Sequence, residues 1–185
     1  MMFHRSERLF LRPVFAEDWQ AVYRGICDEG VATMLARAPW PYRKAHAREF
    51  VTMLPNPAYP RFAITLPDEP GAPLIGVASV HDEDGEASLG YWLARPHWGH
   101  GYATEAVRAL REIARALGYK RLHAGHFLDN PRAGRVLRKA GFVETGEIRP
   151  MECRARGGDL VLARRFVAEL VEAEVAEEGG QMRAA

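Results

Sequence analysis

The run Trp98-Gly99-His100-Gly101-Tyr102-Ala103-Thr104-Glu105-Ala106 sets two glycines, two residues apart, where a strand-like segment gives way to a strongly amphipathic one. The first turn of a helix carries backbone N–H groups without partners, together with the positive end of the helix dipole. Glycine allows such a backbone to come close to a ligand. These residue types at this spacing form a cradle for an anion, suited to phosphate or pyrophosphate. The turn is not a Walker loop, because no Gly-Lys-Ser/Thr follows. It also lacks the third glycine of the dinucleotide fingerprint and an acidic residue about 20 positions on.

The flanks position this turn. The segment before it, Ala87 to Pro96, reads as a strand with Leu89, Tyr91 and Leu93 on one face and Ser88, Gly90 and Trp92 on the other. After it, Ala103, Ala106, Val107, Leu110, Ile113, Ala114 and Leu117 form an apolar helical stripe, opposite Arg108, Arg111, Glu112 and Arg115. Gly118 is placed to end that helix. A glycine turn at the carboxyl end of a strand is where open α/β sheets hold ligands.

A second segment, Asp129 to Gly146, begins with Asn130 as an N-cap and Pro131 at the first helical position. Ala133, Val136, Leu137 and Ala140 form its stripe, and Gly141 ends it before Phe142 opens a strand. With both segments in view, the chain resembles the GCN5-related N-acetyltransferase (GNAT) superfamily, in its RimJ/RimL-like branch of ribosomal-protein N-acetyltransferases. The family's acyl-CoA loop, Gln/Arg-x-x-Gly-x-Gly/Ala, is matched by Trp98 to Ala103, and the branch's Ala-Thr-Glu-Ala by Ala103 to Ala106. The next family motif is matched by Asn130, Arg135, Val136, Leu137, Lys139, Gly141 and Phe142. Arg8 to Pro13 resembles the first strand, and Trp40-Pro41-Tyr42 the segment between the first helices. The likeness covers roughly residues 6–166.

The resemblance implies an α+β (α/β) GNAT fold, with a mixed, mostly antiparallel sheet of about seven strands, splayed in the middle and flanked by helices. It implies acetyl-CoA as co-substrate and no metal. By position, Tyr91 and Leu93 would meet the pantetheine with their backbone, Leu93 N–H serving as oxyanion donor. Trp98, Gly99, His100, Gly101, Tyr102, Ala103 and Thr104 would form the pyrophosphate loop. Asn130 would touch the pantetheine, as well as or instead of capping its helix, and Arg135 would attract the nucleotide phosphates. Ser88 stands where family members often carry glutamate, and Ala133 where many carry serine, so the usual base and acid are both absent by residue type. A thiol leaving group near pKa 8.5 and an α-amine near 8 need little help with their protons. His81 and His126 are the replacement bases expected, with Glu83 acting through water. Trp40, Tyr42, Ser88 and Trp92 are candidates to line the acceptor pocket, beside the plainer reading of the aromatics as packing.

Two His-x-x-His pairs invite a zinc reading. His123 and His126 are three apart on a strand and point to opposite faces, while His97 and His100 belong to the anion loop, so no metal site is expected.

The chain of 185 residues, 48% of them apolar, suits one domain with one core. A net charge of +1 gives no reason to expect a nucleic-acid or membrane surface. Arg132, Arg135, Arg138 and Lys139, like Arg108, Arg111 and Arg115, read first as solvated helix faces. Cys27 and Cys153 make no disulfide framework, and neither a signal peptide nor a membrane-length apolar run is visible. A cytoplasmic monomer or homodimer is expected.

Strands are expected at Arg8–Arg12, Arg61–Leu66, Leu74–His81, Arg121–Phe127, Phe142–Ile148 and Asp159–Phe166, and helices at Ala16–Cys27, Val31–Arg37 and Lys44–Leu54. Residues 67–73 form a hairpin loop. Val167 to Glu178 has helical spacing and strong acidity. One domain over residues 1–178 is expected, with a disordered tail at 179–185. The function expected is transfer of acetyl from acetyl-CoA to a primary amine, a protein or peptide N-terminal α-amine first. The alternatives are a polyamine, amino acid or aminoglycoside acceptor, a non-catalytic acyl-CoA-binding module, or a partner-binding protein docking through its acidic tail.

Overall fold

The structure is a computed structural model that describes residues 2–170. Eight strands form one sheet: β1 (His4–Arg5), β2 (Phe10–Pro13), β3 (Arg61–Thr65), β4 (Leu74–Glu83), β5 (Glu86–Leu93), β6 (Arg121–Phe127), β7 (Val143–Cys153) and β8 (Asp159–Glu169). Their spatial order is β1-β2-β3-β4-β5-β6-β8-β7. Every neighbouring pair is antiparallel except β5 and β6. The helices are α1 (Trp19–Ile26), α2 (Glu29–Ala32), α3 (Lys44–Thr52), α4 (Tyr102–Ala116) and α5 (Pro131–Lys139).

Alternation along the strands builds two cores. On one face Val80, Leu89, Leu93, Leu122 and Phe166 pack against Val107, Leu110 and Ile113 of α4 and Leu137 of α5. On the other, Val77, Trp92 and Phe127 pack against Val22 and Ile26 of α1 and Val51 of α3. Each large side chain fully buried in this way is worth about 1.5–3 kcal/mol. The two faces of β5 are those its alternation implies.

The single parallel junction is short. β5 and β6 pair only at Ser88–His123 and Leu89–Ala124, although β5 runs on to Leu93 and β6 to Phe127. Beyond Leu89 the two strands part, and the sheet opens in a V. At its closed end, charged groups tie the strands together. Arg165 of β8 reaches Glu86 at 2.7 Å and Glu147 at 3.6 Å. Arg149 of β7 reaches Glu83 at 3.0 Å, and His123 lies 3.4 Å from Glu86.

Several elements differ from the sequence expectation. Among the described residues there are eight strands rather than about seven, because His4–Arg5 pairs with β2. The expected helix at Val31–Arg37 is a single turn, Glu29–Ala32, capped by the Asp28 side chain. The chain beyond it is drawn into tertiary bonds: Arg156 donates to Thr33 O at 2.9 Å and Arg154 N to Ala36 O at 3.0 Å. β5 stops at Leu93, and Arg95–His97 forms a 3-10 turn. β7 runs on to Cys153 through an irregularity between Glu144 and Ile148, where Gly146 has φ +85°. Val167, Ala168 and Glu169 lie in β8 rather than in a helix, their register set by β6. The rest of that expected helix and the tail at 179–185 lie outside the described residues.

Gly25 of α1 presses on Trp92, and a Cβ there would lie 2.4 Å from the indole. Gly25→Ala is expected to destabilise the fold by about 1–3 kcal/mol through overpacking, read as a lower melting temperature by circular dichroism.

Candidate active site

The helix mouth is built as the spacing implies. Gly101 is the N-cap of α4 with φ +83°, and no side chain caps it. Gly99 shares that φ, and a Cβ on it would meet nothing within 4 Å. The first amides of α4 are left facing outward, with no intrahelical acceptor. Asn130 caps α5 through its Oδ1, which accepts from Ala133 N at 3.3 Å, so its Nδ2 hydrogens are left for a ligand. Arg132 lies over Trp98, 5.9 Å from the ring centroid.

The V supplies a second row of donors. Ala94 N donates to Ile75 O at 2.9 Å, so by antiparallel alternation the even-numbered residues of β5 bond to β4. Tyr91 and Leu93 then turn their N–H and C=O groups towards β6, where pairing has already ended. The Leu93 carbonyl accepts from Trp98 Nε1 at 2.7 Å. The Leu93 N–H points into the opening.

The two histidines expected as bases lie on opposite faces of the sheet. His81 is on the α1/α3 face, opposite Ser88 in register. A Cβ on Gly90 would lie 3.3 Å from its Cε1 and 3.7 Å from Ser79 Oγ, so Gly90 leaves a bay between those side chains. Burial holds the His81 pKa below the ordinary histidine value, and Arg37 adds to this against Glu83 and Asp82. The ring is therefore neutral and able to accept a proton at neutral pH. His126 faces α5 instead. Its Nδ1 lies 2.7 Å from Phe127 O, and its buried Nε2 has no partner and sits where a Cβ on Gly134 would be 2.7 Å away. It is packed against the helix that follows β6 and turned away from the His81 bay.

One cavity of about 1710 Å³ joins these parts. It is lined by Trp98, Gly99, Gly101, Tyr102, Ala103 and Thr104 at the mouth of α4, with Asn130 and Arg135 on α5. It continues past Tyr91, Leu93 and His126 to His81, Ser88, Trp92 and Tyr42. Burial pushes the Tyr42 hydroxyl up to about 12, so it is a neutral hydrogen-bonding group there. Two expected residues are not in the lining. The His100 ring stacks on Tyr102 at 5.7 Å, and Trp40 sits at the surface, 37% exposed. Trp40 is displaced because Pro39, Pro41 and Tyr42 turn the chain so that Tyr42 enters the core. The sequence reading missed Ser79 and Gly90, which the β4–β5 register brings beside His81, and Arg37, which the loop after α2 brings near it.

No group of three or more His, Cys, Asp or Glu side chains among the described residues could hold a metal ion. His123 meets Glu86 on one face of β6, and His126 packs under α5 on the other. No helix among the described residues is long and apolar enough to cross a membrane.

Comparison with known proteins fits this architecture. The family described as "Acetyltransferase (GNAT) domain" matches residues 8–143. The chain belongs to the GNAT acetyltransferase family. It is 30% identical over 159 residues to a ribosomal-protein-serine acetyltransferase of Escherichia coli (strain K12), covering 80% of this chain and 86% of that protein. An uncharacterized N-acetyltransferase, p20 of Bacillus licheniformis, is 28% identical over 158 residues, covering 82% of this chain and 88% of that protein. Among solved structures, a GNAT acetyltransferase from Bacillus anthracis superposes with a TM-score of 0.78 at 23% identity, covering 92% of this chain and all of the other. RimL, a ribosomal L7/L12 α-N-protein acetyltransferase in complex with coenzyme A, gives a TM-score of 0.72 at 19% identity, covering 91% and 98%. The two solved structures share the fold of this chain, and the family match together with the N-acetyltransferase relatives makes it an N-acetyltransferase.

The depressed His81 basicity can be read directly. In a titration followed by NMR of the imidazole, His81 is expected to change protonation below the ordinary histidine range; a midpoint above 6.5 would contradict its burial.

Proposed function

We propose that this GNAT protein transfers the acetyl group of acetyl-CoA to a primary amine, with a protein or peptide N-terminal α-amine as acceptor. The observation that carries the reading is the single cavity joining the α4 mouth, the unpaired edge of β5 and His81. The residues at each point suit the bound parts of the co-substrate. Uncapped amides from Gly99 to Thr104 suit a diphosphate, and Arg135 at the rim suits the nucleotide phosphates. Tyr91 and Leu93 offer strand-edge amides to the amide-bearing arm, and Asn130 Nδ2 offers one more donor.

At the thioester, the nitrogen–carbon bond forms as the carbon–sulfur bond breaks. The Leu93 N–H stabilises charge on the carbonyl oxygen, a role worth about 3 kcal/mol when well placed. His81 takes the proton from the acceptor ammonium, directly or through a water in the Gly90 bay. The thiol, near pKa 8.5, departs as thiolate without a dedicated acid, which suits Ala133 at the position where a serine would stand.

The base also argues for the acceptor. With Ser88 in place of a carboxylate, the available base is a histidine whose basicity burial has lowered. Deprotonating an α-ammonium near pKa 8 costs about 3 kcal/mol less than deprotonating an alkylammonium near 10.4. The relative named a ribosomal-protein-serine acetyltransferase points the same way. A second reading, a small cationic amine, is favoured by Glu49, Asp82, Asp84 and Glu152 in the cavity lining. Tyr42 and Trp92 would contact either acceptor.

Three measurements test these assignments. Coenzyme A release with an amine panel is expected to favour peptides with a free N-terminus over polyamines, amino acids and aminoglycosides; the reverse order overturns the acceptor assignment. Gly101→Val, forced against φ +83°, is expected to weaken CoA binding by at least tenfold in calorimetry, since a branched side chain cannot hold that turn. For the wild type, kcat/KM should rise with pH through an acidic limb below the ordinary histidine pKa. His81→Ala should lose that limb and about 10²-fold in rate.

A further inference from the structure

The first turn of α4 carries a carboxylate, Glu105, at the same positive helix end that the diphosphate would use. A free carboxylate there would occupy the favourable field and repel the ligand. The structure answers this conflict from a distant part of the chain. In the turn between β1 and β2, Arg8 N donates to Glu105 Oε1 at 2.7 Å and Ser6 Oγ to the same oxygen at 2.8 Å. The Arg8 guanidinium grips Oε2 through Nε and Nη2, both at 2.8 Å. Its remaining nitrogen, Nη1, donates to the His100 carbonyl at 3.0 Å, inside the glycine turn. The guanidinium carbon lies 4.8 Å from the Tyr102 ring centroid, and Nη2 is 3.4 Å from where a Cβ of Gly101 would be. The Glu105 side chain is only 13% exposed in this grip. Burial alone would raise its pKa, but the bonds from Arg8 and Ser6 outweigh that and hold it ionised.

We propose that Arg8 is a positioning residue for the acetyl-CoA loop, cancelling the Glu105 charge at the helix mouth and fixing the His100 carbonyl so that the Gly99–Thr104 amides face the diphosphate. This rests on the reading of that loop as the coenzyme A site. Arg8 acts through the loop, with Nε and Nη2 directed to Glu105 and Nη1 to the His100 carbonyl. The N-terminal strand segment thus acts on the co-substrate through the loop.

Charge cancellation predicts an ordering that a purely structural contact does not. Coenzyme A affinity by calorimetry should follow the net charge of the pair. Arg8→Met leaves Glu105 uncompensated and should weaken binding by about fivefold or more. Glu105→Gln keeps an acceptor for Ser6 and the Arg8 amide and should bind at least as tightly as wild type. The double variant is again neutral but still lacks the bond to the His100 carbonyl, so it should bind more tightly than Arg8→Met and more weakly than wild type, and Arg8→Lys should stay within about threefold of wild type. A double variant as weak as Arg8→Met, an Arg8→Met of unchanged affinity, or a Glu105→Gln weaker than wild type would each overturn the proposal. If Arg8→Met does not fold, as judged by its melting curve, Glu105→Gln and Arg8→Lys decide alone. The loop reading fails separately: Gly101→Val would then bind coenzyme A as wild type does, or wild type would not bind it, and in either case the positioning role falls with it. Normal loss in Gly101→Val beside unchanged Arg8→Met removes the Arg8 role alone.

Discussion

Backbone N–H groups in a folded chain require acceptors, and this structure leaves two sets of them unpaired on purpose-built edges. One set lies at the mouth of α4, where Gly101 caps the helix without a side chain. The other lies along β5 after Leu89, where β6 has turned away. Both open onto the same cavity. The parting of β5 from β6 creates the second set, and it also aims the first, because α4 is the connection between those two strands. A sheet paired along the whole β5–β6 junction would satisfy the Tyr91 and Leu93 amides internally and close the passage to His81.

Holding a sheet open at its centre requires support elsewhere. The two cores supply it by gripping each half from both faces: α4 and α5 on one side, α1 and α3 on the other. At the closed end of the V, Arg165 and Arg149 engage Glu83, Glu86 and Glu147 across four strands. Those contacts are partly exposed and individually modest. They tie the strands together at the end where β5 and β6 are still paired. Trp98 adds a strut at the open end by donating to the Leu93 carbonyl.

The chemistry follows from which face each group occupies. The uncapped amides of α4, Asn130 and Arg135 lie at the α4–α5 side, and His81 with Ser79 lies beneath α1 and α3. The V is the passage between them. In the reaction proposed above, donor and acceptor would approach from opposite faces and meet where the Leu93 N–H points. With no carboxylate at Ser88 and no hydroxyl at Ala133, the proposed reaction would leave proton handling to the buried His81 and to the intrinsic acidity of the reactants, which suits an acceptor of low basicity.

Local patterns in the chain were sufficient for the helix mouth, because its determinants are local: Gly101 must take a positive φ, and the stripe from Ala103 to Leu117 must form a helix whose end Gly118 marks. The alternation of β5, the Asn130 cap and the family likeness were legible for the same reason. Residues 33–37 were misread as helix because the carbonyls of Thr33 and Ala36 are claimed by Arg156 and Arg154, far along the chain. Val167 to Glu169 carry helical spacing yet pair with β6, and Val167 also with Val143 of β7. Neither His81 nor His126 could be assigned to a face without the sheet. Their separation, the bay at Gly90 and the bond from Arg8 to Glu105 across the fold depend on strand register and on contacts between distant segments. Spacing along one element sets which side a residue takes, but only the packing of elements against one another sets what stands opposite it.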